Sequence, residues 1–192
     1  MELDLRSVSP AGSHAQVYRA FRDLSAGEQL TLVADRDLRE IRSQFERDFA
    51  RSFSWQNLES GPELWRVDLH KTASTALPQV LGNASEFADS AATDAMGVRW
   101  KIEVSDRDLD SNLIAVAPGA EIAAHTGPGI DVLMIILDGC GTVGTETDEL
   151  AVKAGDLTWL PKYSRRAIRA GSMGLRYLTV HTHKTGLQIT RP

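Results

Sequence analysis

The sequence predicts an α+β protein in two parts: an N-terminal β-α-β-α-β-β two-layer sandwich over residues 1–70, and an all-β barrel over residues 97–192. Three observations carry this reading. Two apolar stripes at helical spacing occur, both before residue 50, and each follows a capping-box pair. From Val98 onward the chain breaks into many short β-rich runs separated by Gly, Asp and Pro. Between the two textures, residues 71–96 are rich in Ala, Ser and Thr with weak periodicity, which reads as a linker carrying one short helix around Ser85 to Ala92.

Taken in order, Glu2 to Arg6 alternates like a short strand, and Ser9-Pro10 ends it. Ser13 with Gln16 forms a capping box, and Val17, Phe21 and Leu24 follow as one face of a helix that Gly27 closes. Gln29 to Ala34 is a strand. Asp37 with Glu40 caps a second helix whose buried stripe is Leu38, Ile41, Phe45 and Phe49. Phe53 to Leu58 and Glu63 to Leu69 pair around Gly61-Pro62.

In the C-terminal half the candidate strands are Arg99 to Val104, Asn112 to Val116, Val132 to Leu137, Gly141 to Thr145, Leu150 to Val152, Leu157 to Leu160, Arg166 to Arg169 and Arg176 to His181. A further strand-like segment leads into His125. Turns are expected at Asp138-Gly139, Thr147-Asp148 and Gly171 to Gly174. The continuous apolar run from Val132 predicts a strand buried on both faces, one of them against the N-terminal part or a second copy, hence a homodimer through the barrel.

Composition narrows the function classes. The net charge is −5, and both halves are mildly acidic, so neither offers the basic footprint that a nucleic-acid backbone requires. The single cysteine, Cys140, excludes an internal disulfide and a cysteine zinc cluster. No basic-then-apolar leader and no long apolar run is present, which leads to the expectation of a cytoplasmic protein without a membrane partner.

The order of the first 70 residues, with the opening LDLRSVSP and the closing WRVDL, resembles an uncharacterised branch of the SirA/TusA-like sulfur-carrier fold. Those carriers place a cysteine before the proline that starts the first helix, because a thiolate there is activated by the helix N-terminus. This chain has Ser9, so the resemblance implies the fold without the persulfide chemistry.

The second half resembles the cupins, small jelly-roll barrels. Gly119, the five residues to Ala124, His125 and the later Gly139 follow the spacing of the first cupin motif, and Gly155 with Pro161 follows the second. The metal ligands the resemblance implies are mostly replaced. Gly127 stands at the second histidine, Val132 at the glutamate with Asp131 one residue off, Arg166 at the histidine of the second motif, and Tyr163 at its glycine. A metal ion needs three or four converging donors, and a cation in the same wall repels it.

Two readings of a site follow. In the first, no metal or other cofactor is held, Arg166 binds an anionic small molecule bidentately, His125 is its hydrogen-bonding neighbour, and Tyr163 and Trp159 complete the pocket. In the alternative, His125, Asp131, His181 and His183 form a displaced site for a divalent transition metal such as iron, in a dioxygenase-type enzyme, since His181 and His183 share a face if their strand persists. Whether any reaction is catalysed is open in the sequence.

Overall fold

Ser9, rather than Ser13, opens the first helix. In the computed structural model, which describes residues 1–89 and 94–183, Ser9 adopts an extended backbone, its Oγ accepts from the Gly12 amide at 3.3 Å, and Pro10 occupies the first turn. Proline is favoured there because its missing N–H would have no partner inside the helix. Ser13 lies within the helix, 1% exposed, and donates from Oγ to the Ser9 carbonyl. The N-cap thus lies one turn earlier than expected, and with Gly12 three residues after Ser9 no capping box forms.

The chain divides into two units, residues 1–79 and 80–192. The first comprises β1 (Glu2–Asp4), α1 (Pro10–Asp23), β2 (Gln29–Ala34), α2 (Arg39–Asp48), β3 (Phe53–Ser60) and β4 (Trp65–Lys71). Its sheet runs β1-β2-β4-β3, with β1 parallel to β2 and the other pairs antiparallel. Register places Leu30 opposite Leu69 and Leu32 opposite Val67, and these four side chains join Val17, Phe21, Ile41 and Phe45 in one core. Each such side chain contributes about 1.5–3 kcal/mol by leaving water. Asp37 does not cap α2 as an N-cap residue: Leu38 holds that position, and Asp37 accepts from the Arg39 amide at 2.8 Å. Lys71 ends β4 beneath α1, where its Nζ donates to the carbonyls of Arg22 and Leu24 at the C-terminal end of the helix and to that of Phe21, which also accepts from the Leu24 amide.

The second unit comprises α3 (Ala84–Asp89), β5 (Gly97–Lys101), β6 (Leu109–Val116), β7 (Glu121–Thr126), β8 (Val132–Gly144), β9 (Glu149–Lys153), β10 (Leu157–Leu160) and β11 (Arg165–Thr182). The helix expected to reach Ala92 is seen to Asp89; residues 90–92 lie outside the described residues, as do 184–192. Ile102 to Val104 fall outside the strand expected to run to Val104.

Four expected strands are in fact two. Val132–Leu137 and Gly141–Thr145 fuse into β8, and Arg166–Arg169 and Arg176–His181 fuse into β11. The glycines read as turns are bends inside paired strands. Gly139, with φ 77°, passes so close to the Gly174 carbonyl that a Cβ would collide with it, and residues 171–174 form an outward bulge opposite Cys140. Such bulges bend a strand and strengthen its twist without ending its pairing.

The expected closed barrel is corrected as well. The sheet order is β10-β8-β11-β6-β5, with β7 added to β11 and β9 to β8, and among the described residues no ladder joins β10 to β5. The result is an open sheet folded over at the bend. Its core of Met134, Ile136, Val143, Ile168, Leu175 and Tyr177 comes from both sides of that bend. Nor is β8 buried on both faces: Met134 and Ile136 are 0% and 1% exposed, whereas Leu133 between β10 and β11 is 40% exposed. The run is apolar throughout, but alternation still divides it into an inner and an outer face.

Candidate functional site

β11 supplies one wall of a cavity of about 400 Å³ in the second unit. On either side of the bend its alternate residues point inward: Arg166 and Ile168 from the first segment, Tyr177, Thr179 and His181 from the second. β7 adds Ile122 and His125, β6 adds Asn112 and Ile114, and Val132, Leu160, Pro128 and Ile130 complete the lining. Bulges in β8 and β11 let one long strand present both of its ends to the same space.

Arg166 is 5% exposed. Its guanidinium lies against the Gly127 backbone, in the space a Cβ there would fill. Among the described residues it makes no ion pair, and its one polar contact is a 3.4 Å approach of Nη1 to Ser164 Oγ. Burial holds its pKa below the ordinary arginine value, with Tyr177 acting weakly in the opposite sense. Burial likewise pushes the Tyr177 phenol up to about 12, against the pull of the neighbouring Arg166 charge. A buried guanidinium without a carboxylate leaves both its charge and most of its donors uncompensated among the described residues.

His125 sits directly opposite Arg166 in the β7–β11 register. It belongs to the strand rather than following it. Its Nδ1 lies 2.9 Å from the Ala123 carbonyl, which can only accept, so Nδ1 carries hydrogen and Nε2 is left with a lone pair. His181 repeats the arrangement with the Thr182 carbonyl at 3.0 Å.

The remaining predicted residues are elsewhere. Asp131 accepts from the Lys162 amide at 2.9 Å and does not line the cavity. His183 lies past the end of β11 and pairs through Nδ1 with Asp110 at 2.6 Å. Burial pushes the Asp110 carboxyl up, but hydrogen bonds from His183 and Arg107 outweigh it and hold the pKa below the ordinary value. The displaced metal set is therefore not assembled. Only His125 and His181 of its four members reach the cavity, and among the described residues no group of three or more such donors could hold a metal ion.

Trp159, 66% exposed, is not among the lining residues, because Leu160 takes the inward position of β10. Tyr163, also 66% exposed, keeps φ at 61° in the turn after Pro161, with its ring over Gly129. The left-handed backbone that favours glycine at this position is retained while the side chain turns outward. Sequence reasoning missed Asn112, Tyr177 and Thr179. Stepping back from His181 by twos along β11 finds the last two.

A second groove, also of about 400 Å³, lies in the first unit between α2 and the β3–β4 pair, with Trp55, Trp65, Arg39 and Arg42 on its walls. Its arginines are already neutralised, Arg39 by Asp37 and Arg42 by Glu46, each at 2.9 Å. Cys140 is exposed on β8. No described helix is long and apolar enough to cross a membrane.

Residues 2–71 match a family described as an uncharacterised conserved protein, DUF2249. No curated protein matches the chain. Among solved structures the chain is similar to a cupin protein from Bacteroides fragilis, 19% identical over 52% of this chain and 85% of that one, with a TM-score of 0.41. A conserved protein with a double-stranded β-helix domain from Klebsiella pneumoniae is 16% identical over 55% and 90% of the two chains, TM-score 0.46. A cupin-2 domain-containing protein from Shewanella frigidimarina is 15% identical over 54% and 95%, TM-score 0.42.

Proposed function

We propose that residues 80–192 form a cupin-type small-molecule-binding module that takes an organic carboxylate in the folded-sheet cavity without using a metal. The observation that carries this reading is Arg166, nine-tenths buried, facing the cavity and lacking an ion-pair partner among the described residues. An incoming carboxylate meets two parallel N–H donors on a rigid fork, between largely apolar walls that strengthen the attraction relative to bulk water. The cupin spacing of Gly119, His125, Gly139, Gly155 and Pro161 supports the same assignment.

Octanoate serves as the probe. Calorimetric titration of the full chain should show saturable binding that Arg166→Met abolishes and Arg166→Lys weakens, since a lysine keeps the charge but loses the fork. Binding unaffected by Arg166→Met would defeat the reading. Metal analysis of protein purified without chelator tests the rest: about one tightly held transition metal per chain would return the site to the metal-dependent alternative.

A further inference from the structure

The cavity has a second polar pole. We infer that its ligand is a monocarboxylate carrying a hydroxyl at its far end, with the carboxylate on Arg166 and the hydroxyl among Asn112, Thr179 and His181. This rests on the carboxylate reading above and adds the rest of the molecule to it.

The spacing comes from β11. Arg166 projects from the first segment of β11, beside β7, whereas Tyr177, Thr179 and His181 project from the second segment, beside β6, into the same cavity. From Tyr177 the strand carries Thr179 about 7 Å and His181 about 13 Å further along the same face. The register places Asn112 directly opposite Thr179. Ile114, Ile122, Ile168 and Leu160 enclose the rest of the space and require an apolar body. At about 30 Å³ for each water-sized group, the cavity of about 400 Å³ holds roughly a dozen non-hydrogen atoms.

The far pole is built mainly of acceptors. The Thr179 hydroxyl donates to the Asn112 backbone carbonyl at 3.3 Å, which leaves its lone pairs facing outward. His181 spends Nδ1 on the Thr182 carbonyl and keeps the Nε2 lone pair. The Asn112 amide has no hydrogen bond among the described residues, and it adds one acceptor oxygen and two donors. A hydroxyl satisfies this set as donor and acceptor together. A second carboxylate does not, because it would meet the lone pairs of this set. An ammonium would give up its hydration for neutral acceptors alone, since Asp110 is already engaged by Arg107 and His183.

The test is a calorimetric series on the full chain at about pH 8, where an ordinary imidazole is neutral. The probes are octanoate, 8-hydroxyoctanoate, octanedioate, 8-aminooctanoate and octan-1-ol. 8-Hydroxyoctanoate should bind about five- to tenfold more tightly than octanoate, the gain of one well-placed hydrogen bond, and the other three more weakly than octanoate. Thr179→Val and His181→Phe should each erase the hydroxyl preference, read as the ratio of the 8-hydroxyoctanoate and octanoate affinities. Octanoate and 8-hydroxyoctanoate binding equally would overturn the inference and leave the carboxylate reading standing. The same holds if octanedioate or 8-aminooctanoate binds tightest. Absence of binding by every carboxylate, or binding indifferent to Arg166→Met, overturns both.

Discussion

Arg166 is a cation that the fold keeps at a cost. Its pKa is lowered on folding, so the charged form is destabilised throughout the accessible pH range, and nothing within the described chain compensates it. Arg166→Met should therefore raise the stability of the ligand-free protein by about 1–2 kcal/mol, read as a higher melting temperature, while removing carboxylate binding. A lower melting temperature would show that the guanidinium is already satisfied. Asp110 is the opposite case. Its folded pKa lies below the unfolded value of about 3.9, so the stability it supplies is present above that pH and lost as pH falls through the folded value. Acid unfolding followed by fluorescence should be shallower below about pH 4 in Asp110→Asn than in the parent, from a lower neutral-pH starting stability. Neither behaviour was legible from composition. Arg166 and His125 were found by motif spacing, but the absence of a carboxylate near Arg166 depends on which distant strands fold over it. The diversion of His183 to Asp110 likewise depends on a strand ending one residue too early for period-two reasoning to hold.

Two long strands explain where element-level reading succeeded and where it failed. Alternation was applied only to His181 and His183, and the break in β11 fell at the expected residues, Gly171 to Gly174. What a glycine does there was misjudged, because a turn and a bulge use the same residue types and differ only in whether pairing resumes with the same neighbour. The bend is also the most sensitive point of the second unit. Gly139→Ala demands a left-handed backbone from alanine, about 1–2 kcal/mol, and drives its Cβ into the Gly174 carbonyl, a backbone atom that cannot swing aside. The expected outcome in denaturant titration is a loss of more than about 2 kcal/mol, together with loss of octanoate binding as the two ends of β11 part. Stability within about 0.5 kcal/mol of the parent would mean that the bend is not fixed by this contact.

At the scale of the molecule, the change of texture near residue 97 announced two kinds of structure, since helical stripes and short β-rich runs have different periods. The closed barrel did not follow from the same data, because closure depends on which edge strands meet and not on strand count. The two cores share no residue, one drawn from Leu5 to Leu69 and the other from Val116 to Tyr177. Scanning calorimetry should accordingly resolve two transitions. Lys71→Met, which leaves three carbonyls at the end of α1 without their charged donor, should lower one of them by about 2 kcal/mol of stability. Octanoate should raise the other. A single transition moved by both would show that the units unfold as one.

The contact between Gly127 and Arg166 couples the two positions. A side chain at 127 would occupy the space the guanidinium now fills, so the guanidinium would have to move to admit it. The bare backbone at 127 is thus a condition for the guanidinium's place in the wall: any side chain introduced there has to be matched by a shift of Arg166, and the polar lining of the cavity shifts with it.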